Sequence, residues 1–249
     1  MSYQYRMYNE LVDLWPVASD PHDYDKEAEI WRKALRDKLG PGRHRLLELG
    51  IGAGDNLSHF ANEYQATGVD VSEKMLELSR KRNPDVVHYK GDMRTIRLGQ
   101  KFKAVIIHDA ISYLTTEDDL RNTFRTAAAH LEPGGVFIIA PEWYKETYKQ
   151  AALYHVSRNQ NGSQMTFIQY ETDPDPSDTT MQCLMLYLIN ENGKLRVEQD
   201  LHTTGIFPMK TWDKLLIEAG FQVEKRPFPI YEDGREAYLL VCTYSGWFD

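Results

Sequence analysis

The sequence predicts an α/β protein whose doubly wound, mostly parallel sheet has seven strands and carries an antiparallel three-stranded insertion. Short apolar runs alternate with segments of helical periodicity as far as about residue 140, which favours parallel strands joined by right-handed crossovers. After Glu142 the pattern changes to alternating polar and apolar residues. The last two apolar runs are only about ten residues apart, too close for a helical crossover, so we expect them to pair antiparallel.

The elements of the sheet follow in order along the chain. Apolar residues recur at helical spacing from Tyr24 to Leu39, and Gly40 offers a stop. Ser72 and Thr116 are suited to cap two further helices, and Pro208 opens a fourth. We predict strands at residues 45–49, 66–69, 85–90, 103–108, 136–140, 221–225 and 237–243, with another helix at residues 55–64.

The insertion is predicted at residues 144–207 within a single domain of residues 1–249. Three extended runs lie between about residues 164 and 204, and Asn192-Gly193 separates two of them, as is typical of a β-hairpin. We expect these strands to cover one mouth of the sheet on the substrate side.

Composition excludes several classes of function. Hydrophobic residues make up 42% and charged residues 27% of the 249 positions, as in ordinary globular proteins. The net charge of −8 argues against a nucleic-acid partner. No apolar run is long enough to span a bilayer and no leader pattern precedes the fold, so we expect a cytoplasmic protein without membrane contact. Histidines and cysteines are scattered singly, which predicts no bound metal.

A glycine-rich turn follows the first predicted strand. The pattern Glu48-x-Gly50-x-Gly52-x-Gly54 would let the backbone approach a ligand closely, with free N–H groups at the start of the next helix. A dinucleotide-binding turn requires a third glycine where this chain has Asp55. Alone, a GxGxG pattern is a weak signal that a tight turn would also produce.

Carboxylates follow the next three strands. Asp70 lies 20 residues beyond Gly50, a spacing suited to accepting hydrogen bonds from ribose hydroxyls. Asp92 follows the third strand and Asp109 the fourth. Because open α/β sheets bind ligands at the carboxyl ends of their strands, the three acids together predict a nucleotide-like ligand.

The glycine pattern and the acids resemble the motifs of the class I S-adenosylmethionine-dependent methyltransferases, which have a Rossmann-like fold. The resemblance implies S-adenosylmethionine as cofactor, with the turn around its methionine part and Asp92 and Met93 near the adenine. Val71 and Met75 would support the adenine face. The cofactor-binding residues expected on this basis are Tyr24, Glu48, Gly50, Ile51, Gly52, Gly54, Asp70, Val71, Met75, Asp92, Met93 and Asp109.

Longer stretches resemble the N,N-dimethyltransferases of nucleotide-linked aminosugars. The resembling segments are residues 91–102, 130–135, 142–147 and 201–207. The resemblance implies methylation of a small-molecule amine, with an aminosugar nucleotide as one candidate substrate. The chain departs from that family after the fourth strand, where His108-Asp109-Ala110 replaces small and apolar residues.

An amine nucleophile must present its lone pair, so methyl transfer needs a neutral amine or a nearby proton acceptor. We select Asp109, His202 and Tyr8 as catalytic candidates, with Tyr24 as a further one. Tyr8 and Tyr24 belong to the N-terminal segment, which folds over the cofactor in the resembling enzymes. For a substrate with phosphates, Arg158 and Arg235 would offer bidentate contacts.

Three alternatives remain open from the sequence. An O-methyltransferase would differ mainly in needing a firmer general base. An NAD-type oxidoreductase is disfavoured by the missing third glycine and by the antiparallel final strands. A non-catalytic S-adenosylmethionine-binding protein would carry the same cofactor motifs. The sequence also leaves open whether the chain forms a homodimer.

Overall fold

The computed structural model describes residues 5–149, 152–160, 163–231 and 233–246. The helices are α1 (Trp15–Ala18), α2 (Asp25–Leu39), α3 (Glu73–Arg82), α4 (Glu117–His130) and α5 (Met209–Glu218). The strands are β1 (Arg45–Leu49), β2 (Gln65–Asp70), β3 (Val87–Lys90), β4 (Phe102–Ile107), β5 (Leu131–Ile139), β6 (Ala152–Gln160), β7 (Ser163–Thr172), β8 (Thr180–Glu191), β9 (Lys194–Gly205), β10 (Phe221–Pro227) and β11 (Tyr238–Tyr244). No helix among the described residues is both long and apolar enough to cross a membrane.

Seven strands form the main sheet in the order β10-β11-β5-β4-β1-β2-β3. Strands β1 to β5 pair parallel, while β11 runs antiparallel to both β5 and β10. The predicted fold class is therefore confirmed, including the antiparallel final pair. The strand order reverses between β1 and β4, and such a switch point opens a crevice at the carboxyl ends of the strands.

Both faces of the central strands β1, β4 and β5 are largely buried, as their continuous apolar character predicts. Leu47 and Val105 belong to a core on the side of α4 and α5, together with Phe124 and Leu215. The neighbouring residue Leu46 belongs to the core on the opposite side, which includes apolar residues of α2. Alternate residues of β1 thus hold helices against both faces, which fixes where β1 ends and the glycine turn begins.

The insertion forms a separate antiparallel sheet of four strands in the order β6-β7-β8-β9. Three of them match the predicted extended runs, and β6 is a fourth that was not predicted. Strand β6 lies at the edge of this sheet, and most of its described side chains are exposed or half-buried. An edge strand with so little apolar alternation lacks the pattern on which strand prediction depends.

The inner face of the four-stranded sheet packs against the N-terminal segment. Met165 and Tyr187 are buried in one cluster with Met7 and Leu11. Arg158 reinforces this contact, because its Nη1 donates to the carbonyl oxygens of residues 17 and 18 at 2.7 and 2.8 Å. The sheet and the N-terminal segment therefore form one wall above the crevice.

Two local predictions were wrong. The helix expected at residues 55–64 is instead two short 3-10 helices, Leu57–His59 and Ala61–Glu63. Polar side chains compete for the backbone here: Ser58 donates to the carbonyl oxygen of Asp55 at 2.6 Å. The strand expected at residues 136–140 begins earlier, at Leu131, and the β4–β5 pairing shifts register between Phe102 and Ala104.

Candidate functional site

An open cleft with an empty volume of about 950 Å³, part of it open to solvent, lies at the switch point of the main sheet. All twelve positions predicted to bind the cofactor line this cleft, and so does Tyr8. Further lining residues that the sequence analysis did not select are Trp15, Ala53, Asp55, Asn56, Ser72, Gly91, His108, Ala110 and Tyr113. The candidate site is thus assembled from the ends of β1, β2, β3 and β4 and from the N-terminal segment.

The glycine turn at the floor of the cleft requires glycine for two different reasons. Gly50, Gly52 and Gly54 have φ values of 76°, 56° and 72°, in the left-handed region that other residues rarely adopt. A Cβ on Gly50 would lie 2.2 Å from the Cβ of Ala110. A Cβ on Gly52 would meet nothing nearer than the Met75 Cε at 3.7 Å. Gly50 therefore packs closely against Ala110, whereas a Cβ on Gly52 would have room within the cleft.

Asp70 is held rigidly at the end of β2. The backbone N–H groups of Gly52 and Ser72 donate to its two carboxylate oxygens at 2.9 and 2.8 Å. Burial raises the pKa of Asp70, and these backbone hydrogen bonds oppose the shift. The carboxylate is thereby fixed beside the glycine turn.

Glu48 is buried at the end of β1 beneath the turn. Its Oε2 has no hydrogen-bond partner among the described residues. Burial raises the pKa of Glu48 to about 8, the charge of His108 lowers it, and the nearby Asp109 and Asp70 raise it further. A buried carboxyl oxygen without a partner is costly to keep, which marks Glu48 as a group that awaits a ligand or water.

His108 lies between two carboxylates at the end of β4. Its Nε2 is 2.7 Å from Glu27 Oε1, and its Nδ1 is 3.3 Å from Asp109 Oδ2. Burial lowers the pKa of His108, but Asp109 and Glu27 outweigh this effect and raise it to about 10. The ligand atoms of these three residues lie within 4.8 Å of one another, close enough for a metal ion. A protonated imidazole already explains the arrangement, because each of its two ring nitrogens faces one carboxylate.

Two other predicted residues have defined partners. Asp92 is clamped by Arg94, whose Nε lies 3.0 Å from Oδ1 and whose Nη2 lies 2.6 Å from Oδ2. Burial raises the pKa of Asp92, but the hydrogen bonds from Arg94 dominate and the pKa is lowered. The Tyr24 hydroxyl is 3.1 Å from Ser19 Oγ, and its ring meets that of His108 edge to face. Asp109, by contrast, keeps its side chain 73% exposed.

A chain of side-chain hydrogen bonds leads from the four-stranded sheet to the cleft. The Tyr8 hydroxyl lies 2.5 Å from the Tyr113 hydroxyl, which lies 2.7 Å from His202 Nδ1. His202 Nε2 lies 2.7 Å from Asp200 Oδ2. His202 is completely buried and does not line the cleft, but Tyr8 and Tyr113 do. The structure therefore joins two predicted catalytic candidates through Tyr113, which the sequence analysis did not select.

Neither arginine considered for phosphate binding is an open anchor. Arg158 ties β6 to the N-terminal segment and pairs with Asp23, so both of its Nη atoms already have partners. The Arg235 guanidinium is stacked between the rings of Trp143 and Tyr231, 3.5 and 3.6 Å from the centroids. Two carboxylates lie near it, Glu142 at 3.5 Å and Asp233 at 3.6 Å, while its Nε and Nη1 are buried without a hydrogen-bond partner among the described residues.

Comparison with protein families and curated proteins places the glycine turn in a known context. Residues 46–135 match the family described as methyltransferase domain. The chain is 32% identical over 205 residues to the dTDP-3-amino-3,4,6-trideoxy-alpha-D-glucopyranose N,N-dimethyltransferase of Streptomyces venezuelae, covering 81% of this chain and 85% of the relative. It is 28% identical over 222 residues to the dTDP-3-amino-3,6-dideoxy-alpha-D-glucopyranose N,N-dimethyltransferase of Streptomyces fradiae, covering 88% and 86%.

Two solved structures of methyltransferases have a fold similar to that of this chain. Streptomyces venezuelae DesVI superposes with a TM-score of 0.81 at 28% identity, over 94% of this chain and 97% of DesVI. The S-adenosylmethionine-bound CalS10 of Micromonospora echinaspora, an amino pentose methyltransferase, superposes with a TM-score of 0.78 at 25% identity, over 94% and 95%. The similarity thus extends over the four-stranded sheet as well as the cleft.

Proposed function

Because the chain belongs to the S-adenosylmethionine-dependent methyltransferases, in the family of the aminosugar N,N-dimethyltransferases, we propose that it methylates the amino group of a nucleotide-linked aminosugar. The observation that carries this proposal is the extent of the similarity to its relatives. The methyltransferase-domain match ends at residue 135, whereas the matches to the two N,N-dimethyltransferases cover more than four fifths of the chain. The similarity to these relatives therefore includes segments beyond residue 135 in addition to the cofactor motifs.

The residues around the cleft fit the cofactor. Gly52 leaves room for a ligand against the backbone, and Asp70 offers a fixed carboxylate for the two ribose hydroxyls. The unpartnered Oε2 of Glu48 lies beneath the turn and would accept a hydrogen bond from the methionine end. When bound, S-adenosylmethionine supplies a methyl group that is already activated on a sulfonium sulfur. The chain's own task is then to align the amine, exclude water and manage the proton on nitrogen.

Asp109 is the residue best placed to meet a cationic or amino group of the substrate. Its side chain is exposed within the cleft, at the end of β4 and next to the glycine turn. His108 holds the same carboxylate from behind and neutralises part of its charge. We infer that Asp109 orients the amine and that the N-terminal segment with Tyr8 and Tyr24 covers it.

A methylation assay tests the proposal. The protein is incubated with S-adenosylmethionine and dTDP-3-amino-3,4,6-trideoxyglucose, and mass spectrometry follows the mono- and dimethylated products. We expect both, and no product from the matching 3-hydroxy nucleotide sugar, which separates N- from O-methylation. The free aminosugar without its nucleotide tests the need for the dTDP part. Tight binding of S-adenosylhomocysteine without methylation of any amine would refute the enzyme's proposed substrate class.

We further propose that two copies associate through the outer face of the four-stranded sheet. Register places Leu153, Tyr170, Leu184 and Leu201 in one row across all four strands of this face. The next two rows add the residues His155, Ile168, Leu186, Gln199, Ser157, Thr166, Leu188 and Val197. None of these twelve is Asp, Glu, Lys or Arg, so two identical copies would meet without like-charge repulsion.

Light scattering after gel filtration tests this association. We expect a dimer for the wild type and a monomer for Val197→Lys, because Val197 is 56% exposed on the outer face. Ile217→Lys is the matched control, since Ile217 is 64% exposed on α5 and outside that face. A monomeric wild type would refute the proposal.

The net charge of −8 supports the absence of a nucleic-acid partner. We also propose a cytoplasmic location, with which the two free buried cysteines are compatible.

A further inference from the structure

Hydrogen bonds link the side chains of Asp200, His202, Tyr113 and Tyr8. The protonation state of Asp200, at the buried end, determines which group donates in each of them. Asp200 Oδ2 also accepts the backbone N–H of Met7 at 2.9 Å. Burial raises the pKa of Asp200, but hydrogen bonds from His202 and Met7 dominate and lower it. The carboxylate is therefore ionised and can only accept hydrogen bonds.

An ionised Asp200 fixes the tautomer of His202. Nε2 carries the proton and donates to Asp200, so in the neutral ring Nδ1 must accept. The only proton available for that contact is the one on the Tyr113 hydroxyl. Tyr113 oxygen then accepts from the Tyr8 hydroxyl, and Tyr8 oxygen is left to present its lone pairs to the cleft.

A lone pair presented to the cleft meets a chemical need of the proposed reaction. An alkylammonium such as that of lysine has a pKa of about 10.4, so at pH 7 only about one amine in 10³ is neutral. After one methylation the product nitrogen is again protonated, and it must lose a proton before a second methyl group can be accepted. Repeated methylation of one amine therefore depends on a proton acceptor.

We propose that Tyr8, Tyr113 and His202 form a proton relay that deprotonates the substrate ammonium, with Asp200 as the residue that positions and polarises it. This inference rests on the proposed function, since it concerns an amine substrate. Tyr8 is the group that touches the substrate. The other three residues act through it.

The relay conserves atoms and charge. The N–H bond of the ammonium breaks, its electron pair stays on nitrogen, and its proton passes to the Tyr8 oxygen. The hydroxyl proton of Tyr8 moves to Tyr113, and that of Tyr113 moves to His202 Nδ1. His202 becomes an imidazolium paired with Asp200. After product release the protons move back along the same path to water in the cleft.

The surroundings of His202 confine the proton to this path. The ring is completely buried and Tyr5 stacks on it at 4.0 Å between ring centroids. Across the sheet it is paired with Cys183 on β8, whose thiol pKa burial raises. Arg6 acts on Asp200 and pairs with Glu198 and Glu10. The titratable groups that act on the relay from the surrounding protein are thus Tyr5, Arg6, Cys183 and Tyr187, and Asp70 and Asp109 act on Tyr8 from the cleft.

Nitrogen NMR of the ligand-free protein tests the arrangement without any substrate. In ¹⁵N-histidine-labelled protein at pH 8, His202 is expected to show a protonated Nε2 and an unprotonated Nδ1. Its resonances are identified by their loss in His202→Gln. Tyr113→Phe should shift Nδ1 because the hydroxyl donor is removed. A protonated Nδ1 in the wild type would reverse the direction of the chain and overturn the proposal.

Rates at two pH values test the function of the relay. With dTDP-3-amino-3,4,6-trideoxyglucose, Tyr113→Phe and His202→Gln should lose about 10²-fold in kcat at pH 7. The loss should shrink to a few-fold near pH 10, where much of the amine is already neutral. Tyr113→Phe leaves the Tyr8 hydroxyl in place, and His22→Gln, at a side chain 87% exposed, is the matched control.

The outcomes separate the relay from the proposed function. An equal loss at both pH values would indicate a structural role and overturn the relay, as would unchanged rates in both variants. Retained binding of S-adenosylhomocysteine shows that each variant is folded. A wild type that methylates no amine refutes the proposed function and the relay with it, whereas an active wild type with unaffected variants refutes the relay alone.

Discussion

Replacing Gly50 and Gly52 by alanine should separate the two reasons for glycine in the turn. Gly50→Ala introduces a left-handed non-glycine residue at φ 76°, which costs about 1–2 kcal/mol. Its Cβ would also lie 2.2 Å from the Cβ of Ala110, and overpacking of this kind costs about 1–3 kcal/mol. The expected loss in free energy of unfolding is therefore about 2–5 kcal/mol.

Gly52→Ala should behave differently. Its strain is of the same kind at φ 56°, but no protein atom lies closer than 3.7 Å to the new Cβ. We expect a loss of only about 1–2 kcal/mol in stability. The methyl group borders the cleft, so binding of S-adenosylhomocysteine should weaken at least tenfold.

Urea unfolding and calorimetric titration measure the two quantities. Gly134→Ala is the matched control, because Gly134 has the same φ of 76° as Gly50 and nothing within 4 Å of its Cβ. The difference between these two variants isolates the contact with Ala110, and adding Ala110→Gly to Gly50→Ala should recover most of it. Equal destabilisation by Gly50→Ala and Gly134→Ala, or unchanged ligand affinity in Gly52→Ala, would refute the reasoning.

Three further predictions concern charge. Asp70→Asn should weaken S-adenosylhomocysteine binding about 10- to 100-fold by calorimetry, because charge-assisted hydrogen bonds contribute about 1.5–3 kcal/mol; unchanged affinity would remove Asp70 from the site. The folded-state pKa of Glu48 is raised to about 8, so its contribution to stability is lost as pH rises from about 4.5 to 8. Over that range the urea unfolding midpoint of Glu48→Gln should therefore depend less on pH than that of the wild type. The same pH dependence in both proteins would contradict this. His108 should remain protonated at pH 8 by NMR and titrate at lower pH in Glu27→Gln, since Glu27 helps raise its pKa to about 10; an unchanged titration would exclude that ion pair.

Local pattern and strand order were sufficient to predict the cofactor side. Gly50, Asp70 and Asp92 follow strands that are parallel and adjacent, so their convergence on one cleft follows from the sheet alone. Their role in binding stays a prediction. The helix predicted at residues 55–64 was wrong although the apolar spacing there is helical. Ser58 donates to the carbonyl oxygen of Asp55, and the Asp55 side chain accepts from Trp15.

The side of the cleft next to the four-stranded sheet was harder to predict from the sequence. Tyr113 has no motif of its own, and its partner His202 lies 89 residues further along the chain. The packing of β9 against the short 3-10 helix after β4 brings them together. Tyr113 lies shortly after the end of β4, where ligand-facing residues are expected. That position is the one signal in the sequence that would have selected it.

The contacts of the relay close very long loops. Tyr8 and Tyr113 are 105 residues apart, and Met7 and Asp200 are 193 apart, whereas the hydrogen bond from Gly52 to Asp70 spans only 18. Loop closure costs entropy that distant contacts must repay, so contacts between distant residues tend to form late in folding. A newly made chain should therefore bind its cofactor before its tyrosine pair is assembled. Ligand binding would then stabilise a partly folded protein before the four-stranded sheet and the N-terminal segment have packed together.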